Sequence, residues 1–328
     1  MITAAITAIG HYAPDHVVDN KHFESYLETS NEWIMTRTGI AERRYLLEGA
    51  TSDLGAEAAR RALAMRGISA EDVQLIIVAT VTPDMAFPST ASLLQKKIGA
   101  KNAWGFDLNG ACSGFLFAMA TGVQFIQSGQ YTKVLVVGAD KMTAITDMQD
   151  RNTAILFGDA GAAVLLEPSD DPEYGIIDWV NYLDGSGDEA LHMKAGGSLR
   201  PASHETVDNK WHYIYQDGKA VFKVAVVGMA DVSAEIMQRN NLSSDDVAWL
   251  VPHQANMRII QATADRMGLG MDRVMVNIHK YGNTTAATIP SCLAEYHADG
   301  RLKRGDRVVL AAFGAGYSWG AAYVRWSI

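Results

Sequence analysis

Two cysteines, Cys112 and Cys292, are the only thiols in the chain, and their settings differ. Cys112 sits in Phe106-Asp107-Leu108-Asn109-Gly110-Ala111-Cys112-Ser113-Gly114-Phe115, with small residues on both sides at the start of a helical pattern. That implies a tight strand-to-helix turn. A thiol at a helix N-terminus is acidified by free backbone N–H groups and the helix dipole, so more of it is nucleophilic thiolate. The plainer reading is a small buried hydrophobe. Cys292, in Ile289-Pro290-Ser291-Cys292-Leu293, has no such context and reads as core. His253 lies in Trp249-Leu250-Val251-Pro252-His253-Gln254-Ala255-Asn256, directly after an apolar run. The carboxyl end of a parallel strand is where open α/β sheets hold ligands, although a structural histidine fits there too. Asn283, in Gly282-Asn283-Thr284-Thr285, is either an amide donor or a turn residue capping the next helix. Phe313-Gly314-Ala315-Gly316-Tyr317-Ser318-Trp319-Gly320 lacks the spacing of a dinucleotide fingerprint and reads by itself as a hairpin turn. Singly these signals are weak. As a set, a thiol, two side-chain donors and a glycine-rich loop with exposed amides make up an acyl-transfer site.

The elements that must hold such a set are legible from the hydrophobic pattern. Leu75 to Thr80, Val134 to Val137, Ala162 to Leu166, Trp249 to Val251 and Val308 to Ala312 are short apolar runs, as expected of strands buried on both faces. Between them, Leu54 to Met65, Gly114 to Gln127 and Ala220 to Gln238 are compatible with helices, which is the α/β signature. The chain also repeats itself. Ile68-Ser69-Ala70-Glu71-Asp72-Val73 is echoed by Leu242-Ser243-Ser244-Asp245-Asp246-Val247, and Lys133 to Gly138 by Arg307 to Ala312. The interval of 65 residues from Ser69 to Val134 recurs from Ser243 to Val308, which suggests a duplication. The halves, residues 1–170 and 171–328, would meet at the loop Glu167 to Pro172. Asp184 to Asp217, rich in glycine, charges and aromatics, reads as an excursion folding over a cleft.

Composition narrows the function. Hydrophobic residues make up 48% and charged residues 20% of the 328, the balance of a globular enzyme. A net charge of −9 argues against nucleic acid or an acidic membrane surface as the partner. No metal-type His or Cys spacing supports a metal site, and no apolar run reaches a membrane span. The start Met1-Ile2-Thr3-Ala4 lacks the basic and apolar regions of an export signal, so a cytoplasmic protein is expected.

At its candidate residues the sequence resembles the β-ketoacyl-acyl carrier protein synthase III family, the initiating condensing enzymes of bacterial fatty-acid synthesis. The resemblance rests on Glu28 to Ile34, Arg37-Thr38-Gly39-Ile40, Ala86-Phe87-Pro88-Ser89, Val251 to Asn256 and Gly282-Asn283-Thr284, in order and in register. It implies an α/β, thiolase-like fold: two similar halves, each with a five-stranded sheet, in a five-layer αβαβα stack, assembled as a homodimer. Relatives that elongate chains or cleave them replace the asparagine, so Asn283 favours the initiating class.

The resemblance also implies an activity and its residues. Cys112 would take an acyl group from an acyl-CoA, and His253 and Asn283 would support decarboxylation of malonyl-acyl carrier protein. Backbone N–H groups of Cys112 and Ala315 would form the oxyanion hole. Trp33 and Arg151 would hold the adenine of CoA between them, with Thr29 and Arg37 as polar contacts. Lys223, Arg258 and Arg266 would face the acidic carrier protein, and Phe87 would close the partner's acyl pocket. CoA is a substrate carrier, and no metal or redox cofactor is expected. Two other readings are a condensing enzyme of secondary metabolism with the same site and a silent scaffold that binds carrier protein or CoA.

Overall fold

The computed structural model describes residues 2–328. Nine strands build two sheets: β1 (Ala4–Tyr12), β2 (Leu75–Ala79), β3 (Trp104–Leu108), β4 (Val134–Asp140), β5 (Ala160–Pro168), β6 (Gly175–Leu183), β7 (Trp249–Pro252), β8 (Arg307–Gly314) and β9 (Ser318–Arg325). The first sheet has five strands in the order β1-β5-β4-β2-β3, and the second has four in the order β6-β9-β8-β7. Their pairings correspond. In each, two antiparallel steps lead to a strand that runs parallel to the next, β4 with β2 and β8 with β7. The expected fifth strand of the second sheet does not form. At the place of β3, the chain makes one isolated parallel bridge, Leu250 to Val274, and then turns away. The buried amide of Gln254 explains the turn: its Oε1 accepts from the N–H groups of Asn277 and Ile278, at 3.0 and 3.2 Å, in place of a ladder.

Seven helices matter for the layers: α1 (Asn31–Thr38), α2 (Thr51–Arg66), α3 (Thr90–Ile98), α4 (Gly114–Gln127), α5 (Gly218–Arg239), α6 (Met257–Met267) and α7 (Thr288–Ala298). Alternation along the strands shows why five layers result. Leu75, Ile77, Val134 and Val136 pack inward with Phe115, Met119, Ile289, Leu293, Val308 and Leu310, so α4 and α7 fill the space between the sheets. Ile76, Val78, Leu135 and Val137 point the other way, against Leu54, Ala58 and Leu94 of α2 and α3. Val309 and Ala311 do the same on the second sheet, against Met229, Ile236, Ile260 and Ala264 of α5 and α6. A strand with neighbours on both faces has no polar side, which is why these segments read as unbroken apolar runs.

The two halves interlock at their strand ends. The turn before α4 starts at Ala111 and the turn before α7 at Thr285, at the same offset along the chain as β4 and β8. Both residues take left-handed backbone, with φ of 46° and 53°. Each turn rests on a glycine of the other half. A Cβ on Gly138 would stand 2.5 Å from the Ala286 carbonyl oxygen, and one on Gly314 would stand 2.7 Å from the Cys112 nitrogen. Gly138→Ala and Gly314→Ala should therefore each cost about 1–3 kcal/mol of overpacking, read as a lowered melting temperature. Gly185→Ala, where a Cβ meets nothing within 4 Å, is the control and should melt with the parent. Equal melting of all four proteins would contradict the close approach.

Candidate active site

The two turns and the ends of β7 and β8 enclose a cavity of about 1180 Å³ whose walls include Cys112, His253, Asn283, Phe313, Gly314 and Ala315. Cys112 stands in a single 3₁₀ turn, Ala111–Ser113, that runs directly into α4. Two serines tie that turn to the glycine-rich loop after β8. Ser113 donates to the Ser318 carbonyl at 3.0 Å, and the Ser318 hydroxyl lies 3.1 Å from the Gly110 carbonyl and 3.0 Å from that of Ala315. The loop is both the hairpin between β8 and β9 and the wall beside Cys112.

Cys112 is half-buried. Its thiol is not acidified as expected from the helix terminus: burial, with a further contribution from the Asp140 carboxylate, pushes it up to about 12. Desolvation of a would-be thiolate outweighs the nearby N–H groups. Asp140, fully buried at the end of β4, was not foreseen as part of the site. Its Oδ1 accepts from the Thr80 hydroxyl, the Val81 and Thr82 N–H groups and the Thr82 hydroxyl at 2.8–3.2 Å, and its Oδ2 faces the Ala286 N–H at 3.3 Å. Burial raises its carboxyl to about 6 despite these donors. A charged residue closing an apolar strand was the one available signal for it.

His253 follows β7, and its N–H donates to the Ala311 carbonyl of β8 at 2.7 Å. His253 is 1% exposed, and burial pulls its ring down to about 3, so it is neutral at physiological pH. Nδ1 lies 2.7 Å from the Thr288 hydroxyl, which leaves Nε2 as the cavity nitrogen. Asn283 is held from both sides: its N–H donates to the Leu156 carbonyl at 2.9 Å, and its own carbonyl accepts from Gly158 at 3.1 Å. Its Oδ1 accepts from the Thr285 N–H at 2.9 Å, so the amide is oriented with Nδ2 left to donate.

Other expected residues divide by place. Trp33 and Arg37, one turn apart on α1, line the cavity, and the Ser30 hydroxyl caps their helix. The Arg151 guanidinium lies over the Trp33 ring at 5.0 Å and is anchored to the Glu28 carbonyl at 2.7 Å. The pair is stacked on itself, so a base enters between them only if Arg151 swings away. Thr29 has a buried hydroxyl with no partner among the described residues. Arg258 lies at the cavity edge with its guanidinium over Phe222 at 4.5 Å, while Lys223 is exposed on α5. Arg266 pairs with Asp231 at 3.0 Å, so its charge is partly cancelled. Phe87 is 84% exposed and outside the cavity of its own chain. The excursion forms a small hairpin, Leu191–Met193 against Ile214–Gln216, that lines the cavity.

Fold and site together define a thiolase-like enzyme built for acyl transfer through a thiol. The chain matches the 3-oxoacyl-acyl-carrier-protein synthase III family over residues 106–185 and the C-terminal family of the same synthases over residues 237–326. It is 58% identical over 326 residues to the β-ketoacyl-acyl-carrier-protein synthase III of Chlorobaculum tepidum, covering 98% of this chain and 99% of that one. The crystal structure of 3-oxoacyl-acyl-carrier-protein synthase III from Aquifex aeolicus VF5 superposes with a TM-score of 0.91 at 40% identity, covering 98% of this chain and 100% of that one. That of the Pseudomonas aeruginosa PAO1 enzyme superposes at 0.92 and 36%, covering 99% of each. The chain belongs to the β-ketoacyl-acyl carrier protein synthase III family, and it is an acyltransferase of the condensing type that initiates fatty-acid synthesis.

The raised thiol has a measurable consequence. Below its pKa the thiolate fraction grows about tenfold per pH unit, so alkylation of Cys112 by iodoacetamide in the free enzyme should be slow at pH 7 and still rising at pH 9. A rate already level at pH 7 would show an acidified thiol instead. Cys292 is buried and its thiol is also raised, so it does not confuse the readout.

Proposed function

We propose that Cys112, His253 and Asn283 carry out a decarboxylative Claisen condensation between an acyl-CoA primer and malonyl-acyl carrier protein. The observation that carries the reading is the meeting of this thiol and these two donors in one cavity, with Asn283 oriented by Thr285. Cys112 sulfur attacks the thioester carbonyl, and the developing oxyanion is held by the backbone N–H groups of Cys112 and Ala315. The bond to CoA sulfur breaks, and CoA leaves as the thiol with the proton that Cys112 gave up. Malonyl-acyl carrier protein then enters. Its terminal carbon–carbon bond breaks, CO₂ departs, and the electron pair becomes an enolate. His253 Nε2–H and Asn283 Nδ2–H donate to that oxygen more strongly than to the ground-state thioester. The enolate carbon attacks the acyl-Cys carbonyl, the carbon–sulfur bond breaks as β-ketoacyl-acyl carrier protein forms, and Cys112 leaves as a thiolate that takes up a proton from solvent. Metals and redox cofactors have no part in these steps.

Trp33, Arg37, Arg151 and Thr29 would hold CoA, and Lys223, Arg258 and, more weakly, Arg266 the carrier protein. A second copy of the chain is the proposed remaining partner. β3 is an open sheet edge with Trp104 47% exposed, and exposed Phe87 lies in the segment after β2. An unpaired strand edge beside bare aromatics fits pairing with a copy of itself, with Phe87 reaching the neighbouring acyl pocket. The compartment proposed is the cytoplasm.

His253→Ala and Asn283→Ala should still gain an acyl mass on Cys112 from acetyl-CoA, yet release CO₂ from malonyl-acyl carrier protein about 100-fold more slowly. Variants that decarboxylate normally but cannot be acylated would reverse these roles. Arg258→Glu should raise the KM for malonyl-acyl carrier protein at least about tenfold and leave that for acyl-CoA within about twofold, with added salt mimicking the defect. Equal loss toward both substrates would instead put Arg258 in the shared tunnel.

A further inference from the structure

We infer that Asp140 positions Asn283, holding from the opposite half the turn that orients the Asn283 amide. The inference rests on the role given above to Asn283 as a donor in decarboxylation. Asn283 Oδ1 is fixed by the Thr285 N–H at 2.9 Å, so the direction of Nδ2 follows the backbone of that turn. Thr285 has left-handed backbone, φ 53°, which a β-branched residue keeps only where its surroundings impose it. The next N–H of the turn, that of Ala286, lies 3.3 Å from Asp140 Oδ2 across the seam between the halves. Thr285 is therefore pinned between two hydrogen bonds, one to the side chain it orients and one to a carboxylate of the first half.

The strand that carries Asp140 is built to meet this turn. Gly138 and Asp140, two residues apart at the end of β4, share one face of the strand. The first leaves room for the Ala286 carbonyl, and the second takes the Ala286 N–H. Asp140 is fully buried, and all five groups bonded to its carboxylate are donors: two hydroxyls and two N–H groups from Thr80, Val81 and Thr82 on Oδ1, and the Ala286 N–H on Oδ2. The three N–H groups cannot turn round, so only an ionised carboxylate accepts from all five. Four of the donors belong to the segment that follows β2, so Oδ1 anchors the side chain to the first half and Oδ2 is left for the turn. Asp140 is a positioning residue: it is not part of the cavity wall, and it acts only through the turn.

Asp140→Asn keeps the size of the side chain. Its oxygen replaces Oδ1 among the four donors, and its NH₂ group then opposes the Ala286 N–H. This full-length variant should release CO₂ from malonyl-acyl carrier protein at least about tenfold more slowly, the effect of a misplaced group, while Cys112 still gains an acyl mass from acetyl-CoA. In an Asn283→Ala background the same substitution should change CO₂ release by less than about twofold, because nothing is left to position. A tenfold loss in both backgrounds overturns the inference and leaves Asp140 a structural role only. Unchanged CO₂ release in Asp140→Asn overturns it as well. The parent supplies a test that needs no variant to fold. In NMR across a pH series, the Asp140 carboxyl carbon and the Ala286 amide proton should titrate with one midpoint near 6, where burial places the carboxyl. Cys112 and His253, at about 12 and about 3, keep one state around that midpoint. A carboxyl that titrates without moving the amide proton overturns the inference. Parent-like CO₂ release by Asn283→Ala would overturn the donor role of Asn283 instead, and the shared midpoint would then uphold the hold of Asp140 on the turn.

Discussion

Everything at the site depends on the close approach of two backbone turns to the strand ends of the opposite half. Gly314 lets β8 touch the Cys112 turn, and Gly138 lets β4 touch the Ala286 turn. The contact is made by backbone, where a single methyl group would have to displace one half relative to the other. Through it, Cys112 of the first half and His253 and Asn283 of the second are brought to one cavity. The buried Asp140 carboxylate and the Ser113–Ser318 pair add polar ties across the same seam. Left-handed backbone at Ala111 and Thr285 is the strain this arrangement holds in place.

Burial at that seam sets the chemistry. Desolvation keeps the Cys112 thiol protonated, keeps His253 neutral and raises Asp140 toward neutrality. Both shifts favour the neutral thiol and the neutral ring. Neutral donors aimed at a point where charge develops fit such an environment, because a hydrogen bond to an oxyanion gains strength where water is excluded.

Much of this was legible in the sequence. Apolar runs marked five of the strands, the helix Gly114–Gln127 was read with its bounds, and the 65-residue interval announced two matching halves. The family resemblance singled out Cys112, His253 and Asn283, which singly looked like core, a structural ring and a turn. What stayed hidden depends on three-dimensional neighbours. The missing fifth strand follows from one amide, Gln254, that captures two N–H groups far along the chain. The direction of the Cys112 shift is decided by burial that no local motif encodes. The pairing of Arg266 with Asp231 and the closed stack of Arg151 on Trp33 need side-chain positions from separate elements.

We propose a division of labour, in which the first half carries the acyl group and the second half drives decarboxylation. It is tested most directly by CO₂ release from malonyl-acyl carrier protein by Cys112→Ala. Because His253 and Asn283 are held by the second half and need no thiol, this variant should still release CO₂ and leave acetyl-acyl carrier protein, while forming no β-ketoacyl product. A folded Cys112→Ala enzyme that releases no CO₂ would contradict the account.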